Sequence, residues 1–296
     1  MGALTLPTGI GYTAMIAAYA RAQEAKQDNP LFVDPLADLF VAAATGLVPG
    51  TNLPRLGPIR IDDESLLWDF LSALFCGRTP FFDAHIKQHV GAGIRQIVIL
   101  AAGLDTRAFR MNLPATTTVY EIDTPEVLDF KAAVLADEQP TATRVAVPAD
   151  LREDWAGALT AAGFRPNVRT LWLVEGLLMY FDAAAADNLL ATISSLSLPA
   201  NGLLTETIIR KPVMQDVPEI VGSEDEAVTR LFMEAFRTPP YRNVGDWMSS
   251  QRWRCDEAVT LAEQLTRVNR PIPEIVRRCA ADPFGTVLAS SVKLQD

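Results

Sequence analysis

From Arg95 onward the chain carries short apolar runs that each stop at small or acidic residues, and helical stretches separate them. These runs are QIVILAAG (96–103), TTTVYEID (116–123), TRVAVPAD (143–150) and RTLWLVEGLLMY (169–180). A continuously apolar run of four to eight β-rich residues reads as a strand covered on both faces. Helical patterns such as Pro125 to Asp137 lie between the runs, and this alternation predicts parallel strands joined by crossover helices. A further helix is expected over about 183–197, and NGLLTETIIR (201–210) supplies a fifth strand after the Asn201-Gly202 turn. GTVLASSVKL (285–294) alternates in the manner of an edge strand. The fold class that follows is α/β, a doubly wound and mostly parallel sheet.

The first ninety residues have a different texture. YTAMIAAYARAQEAKQ (12–27) is rich in good helix formers, a second helical pattern covers 31–44, and Gly and Pro break the chain between Gly46 and Pro58. A third helical region starts near Asp62-Asp63-Glu64, where acids suit a helix N-terminus, and runs in one or two pieces to about Val90. Between about 211 and 271 the pattern again reads as helical and irregular, with aromatic residues at Phe232, Phe236, Tyr241, Trp247 and Trp253. They either pack an insertion onto the sheet or line a pocket. The expected organisation is a helical cap over 1–90 and an α/β domain over 91–296 with a lid inserted at about 211–271.

Composition narrows the function. The 296 residues suffice for one large domain or a domain with a substantial cap, and 49% hydrophobic with 21% charged residues is ordinary globular usage. A formal net charge of -10 repels a polyphosphate backbone, so nucleic acid is not an expected partner. There is no apolar run of about 18 residues and no basic region followed by an apolar core, which argues against membrane spanning and secretion. Cys76, Cys255 and Cys279 are widely spaced without a CxxC, as expected of a reduced, cytoplasmic protein. His85 and His89 stand four apart without a third ligand of the usual kind, so no metal site is expected. The oligomeric state is not legible.

In an open α/β sheet, ligands bind beyond the carboxyl ends of the strands at the switch point. The first such end, LAAGLDTRAF (100–109), offers Ala101, Ala102 and Gly103 for close backbone approach. Asp123 lies twenty positions after Gly103, the distance at which nucleoside-binding folds place an acid for ribose hydroxyls. Glu121 shares its strand face if the strand alternates. The first turn lacks GxGxxG, which favours a ligand without a pyrophosphate. Asp150 of PADL can accept from an adenine amino group, with Leu151 supplying its amide and an apolar contact. Glu175 of VEGLLMY needs a cationic or hydrogen-bonding partner to be tolerated near a strand end, and a ligand ammonium supplies both.

The combination of GRTPFFD (77–83), ILAAGLDTRAFR (99–110), YEIDTPEVLDFK (120–131), PADLREDW (148–155) and WLVEGLLMYF (172–181) resembles the leucine carboxyl methyltransferase family. Within that family it is most similar to a bacterial branch of S-adenosylmethionine-dependent methyltransferases that includes polyketide O-methyltransferases. The resemblance runs in order from about Ala14 to Glu206. It implies S-adenosyl-L-methionine as cofactor, with Arg78 pairing the carboxylate of its methionine part, Gly103 approaching that part and Asp123 holding the ribose hydroxyls. It further implies that Asp150 and Leu151 bracket the adenine, that Glu175 faces the ammonium, and that Tyr180 stands near the transferred methyl or the substrate. Eukaryotic members carry glycine where this chain has Ala101, a departure the bacterial branch shares.

Methyl transfer from a sulfonium asks the protein chiefly for alignment and exclusion of water. A carboxylate acceptor needs no base, and neither histidine is placed to be one, since both fall in the helical cap. The expectation is therefore an O-methyltransferase acting on a carboxylate or acidic hydroxyl of a small molecule in secondary metabolism. Alternatives are a carboxyl methyltransferase of a peptide or protein C-terminus, a nicotinamide-dependent oxidoreductase, and a protein that binds the cofactor without catalysis.

Overall fold

Strand β1 (Gln96–Leu100) is buried at every residue, as its unbroken apolar run requires. The computed structural model describes residues 5–7, 9–47, 65–223, 225–238, 243–281 and 285–295. Ahead of β1 come helices α1 (Thr13–Glu24), α2 (Ala37–Leu47) and α3 (Leu66–Gly91). The expected start of α3 at Asp62-Asp63-Glu64, the Gly/Pro-rich stretch 48–58 and Tyr241 lie outside the described residues. Ser65 caps α3, its hydroxyl accepting from Trp68 N at 3.1 Å.

After β1 the chain alternates as expected: α4 (Arg107–Arg110), β2 (Thr118–Asp123), α5 (Pro125–Val134), β3 (Thr143–Pro148), α6 (Trp155–Ala161), β4 (Thr170–Val174), α7 (Ala183–Ser195) and β5 (Gly202–Ile208). Then follow α8 (Glu226–Ala235), α9 (Val244–Ser250), β6 (Trp253–Thr260), α10 (Leu261–Arg267), α11 (Glu274–Ala281) and β7 (Thr286–Lys293). The seven strands lie in the order β3-β2-β1-β4-β5-β7-β6. β1 pairs in parallel with both β2 and β4, so the winding reverses there and the switch point falls at the carboxyl ends of β1 and β4.

Two expectations are corrected at the far side of the sheet. β7 is no edge strand, because it runs antiparallel between β5 and β6. The edge is β6, which falls inside the 211–271 segment read as helical. Its alternation was obscured by a bulge between Cys255 and Glu257, where one extra residue breaks the period of two.

Helix α3 explains how the N-terminal region meets the sheet. At 26 residues it is about 39 Å long, and its two halves serve different cores. Phe81, Phe82, Ile86 and Val90 pack with sheet residues Ile97, Ile99, Leu171 and Leu204. Leu67, Leu71, Leu74 and Phe75 pack instead with Ile16 of α1, Phe232 of α8 and Ile275 of α11. The residues where one core gives way to the other, Gly77 to Thr79, thus stand over the strand ends. A second tie is Asp34, fully buried, which accepts from Arg21 Nε at 2.8 Å and Thr106 Oγ1 at 2.7 Å and so fastens α1 to the loop after β1. No helix among the described residues is long and apolar enough to cross a membrane.

Candidate active site

A cavity of about 580 Å³ opens at the switch point between these strand ends and the helices above them. Its floor begins with the turn after β1, where Ala101 and Gly103 both take positive φ, 51° and 49°. That conformation is natural for Gly103 and costs Ala101 about 1 kcal/mol or more. It also directs Gly103 N at the end of β2, where it donates to Asp123 Oδ2 at 2.7 Å, while Thr124 N donates to Asp123 Oδ1 at 2.7 Å. Burial pushes the Asp123 carboxyl up, and the two backbone donors work against that rise. Substituting Gly103 by alanine is expected to cost about 1–2 kcal/mol, since the new Cβ would also lie 3.1 Å from Ala14 Cβ. Thermal denaturation should show a loss of several degrees.

Beside this turn six side chains form a chain of alternating charge. Arg110 holds Asp83 with Nη1 at 2.6 Å and Nη2 at 3.0 Å. Asp83 also accepts from Arg107 Nε at 2.7 Å, and Arg107 Nη1 reaches Glu175 Oε2 at 2.7 Å. Glu175 Oε1 lies 2.7 Å from Arg78 Nε, and Arg78 Nη1 donates to Glu206 Oε2 at 2.6 Å. Asp105 adds a further carboxylate to Arg107 and accepts from its backbone N at 2.7 Å.

Burial works against the charges of Arg78 and Arg107, but the carboxylates outweigh it: Glu206 and Glu175 raise Arg78, and Asp105, Glu175 and Asp83 raise Arg107 further. For Asp105 burial is likewise overcome, chiefly by Arg107, and its carboxyl is held down at about 2. Glu206 goes the other way, pushed up by burial.

Of the residues singled out in the sequence, Arg78, Ala101, Gly103, Asp123, Asp150, Leu151, Glu175 and Tyr180 all line the cavity. Asp150 is partly exposed, and Arg152 clamps its carboxylate with Nε at 2.9 Å and keeps it below the usual carboxylate range. Tyr180 stands edge-on to Phe236 at 5.4 Å, with burial pushing its phenol to about 12. Glu121 is the correction. It does point away from solvent like Asp123, but it is fully buried and does not line the cavity; Lys131 Nζ at 2.8 Å and Arg144 Nε at 2.7 Å take up Oε2. It stands outside the cavity lining.

Sequence reasoning missed Asp83, Asp105, Arg107, Arg110 and Glu206. Asp83, five residues after Arg78 on α3, pairs with Arg107 and Arg110 and not with Arg78. Four of the five, all but Glu206, lie within the quoted motifs GRTPFFD and ILAAGLDTRAFR, and a charged residue beside an apolar strand end is the available signal. The aromatic residues of 211–271 divide. Phe232 and Phe236 line the cavity, whereas Trp247 and Trp253 pack beneath α7, bonded to Asp187 Oδ1 and Ser194 Oγ at 2.7 Å each.

Comparison with known proteins agrees with this geometry. The family model for leucine carboxyl methyltransferases matches residues 14–194. The chain belongs to the leucine carboxyl methyltransferase family. It is an S-adenosyl-L-methionine-dependent methyltransferase. A protein of Mycobacterium sp. (strain KMS) named "Putative S-adenosyl-L-methionine-dependent methyltransferase" is 40% identical over 98% of this chain and 95% of its own length. A protein of the same description from Frankia alni is 38% identical, covering 91% of this chain and 92% of its own. Among solved structures, a methyltransferase-like protein from Thermobifida fusca superposes with a TM-score of 0.55 over 95% of this chain and 94% of that one. At 15% identity this last similarity speaks for the fold.

The residues of this family member fit the methyl donor. Arg78, Arg107 and Arg110 meet Asp105, Glu175 and Glu206 along the cavity lining, with Asp83 behind them and Asp123 beyond. Guanidinium and carboxylate groups side by side suit a ligand that carries both a carboxylate and an ammonium, as the methionine part of S-adenosylmethionine does. Glu206 Oε1, buried and without a hydrogen-bond partner, is the kind of orphaned acceptor that a ligand site explains.

Proposed function

We propose that this enzyme methylates an oxygen, either a carboxylate or an acidic hydroxyl, of a small and largely apolar molecule in secondary metabolism. The observation that carries the reading is the division of the cavity. Its inner wall is charged, whereas its outer wall is made of Phe70, Leu71, Leu74, Phe232, Met233 and Phe236. An apolar, aromatic chamber of this size favours a compact hydrophobic acceptor over an extended peptide, which would ask for backbone-matching polar groups. Helix α3 and the segment around α8 supply that outer wall and exclude water from it.

The bound donor supplies a methyl group to an oxygen aligned behind its carbon–sulfur bond. The chain's own residues then bind and orient. Asp123 accepts from ribose hydroxyls, Asp150 and Leu151 receive the adenine, and Arg78 and Glu175 receive the carboxylate and ammonium of the methionine part. Ala101 and Gly103 let the backbone approach it. Tyr180, its phenol protonated at neutral pH, donates a hydrogen bond near the acceptor and removes no proton. His85 is engaged elsewhere, with Nδ1 at 2.9 Å from Phe81 O and Nε2 at 3.1 Å from Glu257 Oε2. An acceptor that is already ionised, or nearly so, suits this inventory.

The test is turnover of methyl-labelled S-adenosylmethionine with panels of aryl and alkyl carboxylic acids, phenols and short peptides. Methyl esters or ethers of the small acids, identified by mass, are the expected products. Methylation confined to peptide C-termini would replace this reading with the peptide carboxyl one.

A further inference from the structure

The two groups assigned to the methionine part of the donor do not stand alone. Arg107 grips Glu175 from behind, and Glu206 grips Arg78. Glu206 is fully buried in β5, and its Oε2 is itself fixed by Gly176 N at 2.7 Å, in the turn that follows Glu175. Gly176 takes φ 68°, and a Cβ there would sit 3.4 Å from Arg78 Nη1, so this turn lies against the guanidinium face. One carboxylate oxygen therefore ties the Arg78 side chain to the backbone next to Glu175. Arg78 also rests on the Phe75 ring, 4.8 Å from its centroid, which limits its freedom on another side.

From this we infer that Glu206 is a positioning residue, holding the Arg78 guanidinium and the 175–176 turn in register for the carboxylate and ammonium of the methyl donor. The inference rests on the reading that those two groups receive the methionine part. A guanidinium held by a partner that is itself fixed keeps its remaining donors in one orientation, so a ligand carboxylate loses little freedom when it docks. Without that partner, Arg78 retains only Glu175 and is drawn toward the group that should face the ammonium. Glu206 then acts on one portion of the donor, with no effect on the adenosine portion held at Asp123 and Asp150.

The experiment compares two probes on the whole protein by isothermal titration: S-adenosylhomocysteine, which carries the amino-acid tail, and 5′-methylthioadenosine, which lacks it. Glu206→Gln keeps the shape and an acceptor oxygen, and Glu206→Asp keeps the charge but shortens the reach; their melting temperatures are recorded alongside. Both variants should bind S-adenosylhomocysteine about ten- to a hundredfold more weakly, the range a charge-assisted hydrogen bond commands. Methylthioadenosine affinity should stay within about twofold.

Equal losses for both probes would overturn the inference, because Glu206 would then support the site as a whole. Unchanged affinity for both would overturn it as well. A measured cycle with Arg78→Met gives a second reading: once Arg78 is gone, Glu206→Gln should have no further effect on S-adenosylhomocysteine, and additive losses would count against positioning. If the unmodified protein binds neither probe, the donor-site reading itself fails, an outcome distinct from all of these.

Discussion

Arg107→Met is expected to be the most destabilising single substitution at this site, lowering stability by about 3–5 kcal/mol. The reason lies in what it leaves behind. Arg107 is nearly inaccessible and contacts Asp83, Asp105 and Glu175. Removing it strands Asp105 in the protein interior and leaves Asp83 and Glu175 with one guanidinium each, and an uncompensated buried charge costs far more than a satisfied pair returns.

The pH dependence separates this cause from simple loss of packing. In the unmodified protein Asp105 is held at about 2 and Asp83 is also lowered, both below the unfolded value of about 3.9. Their contribution to stability is fully present above about pH 4 and disappears as the pH falls toward about 2. In Arg107→Met, burial acts on Asp105 without the opposing guanidinium, so its carboxyl rises above the unfolded value. The variant's deficit should then be largest near neutrality and shrink as the pH falls through the raised value and on toward about 2, where the unmodified protein loses the same contribution. Urea denaturation at a series of pH values measures it, and a deficit independent of pH would point to packing alone.

Asp123→Ala should abolish useful binding of the methyl donor with little loss of fold. The carboxylate is oriented by Gly103 N and Thr124 N, which leaves its remaining lone pairs for ligand hydroxyls. Hydrogen bonds to a charged group are worth about 1.5–3 kcal/mol each, so losing two weakens affinity by roughly a hundredfold or more. The loss should be equal for S-adenosylhomocysteine and 5′-methylthioadenosine, since both carry the ribose. That pattern is the opposite of the one expected for Glu206 and makes the two experiments controls for each other. Selective loss of S-adenosylhomocysteine alone would move Asp123 away from the ribose.

Much of this protein was legible before any tertiary structure. The apolar runs at 96–100, 118–123 and 170–174 specify buried parallel strands because a strand covered on both faces has no polar side to display. The strand ends then carry acids and a glycine, which is why Gly103, Asp123, Asp150 and Glu175 could be expected at the cavity from their positions alone. Local sequence, however, reports only on what a residue's near neighbours permit. A bulge hides β6, and β7 reads as an edge because pairing partners are not written into a strand's own alternation.

The same limit applies to charge. Glu121 and Asp123 share a strand and differ by two residues, yet one faces the cavity and the other is claimed by Lys131 and Arg144 from α5 and β3. Glu206 and Arg78 lie 128 residues apart, and only the stacking of α3 over the end of β5 brings them within 2.6 Å. Chain-local patterning thus determined the sheet, its switch point and the chemistry at each strand end. Tertiary packing decided which buried charges pair with one another and which are left facing a ligand, because desolvation and Coulomb energy depend on distances in space that no interval along the chain encodes.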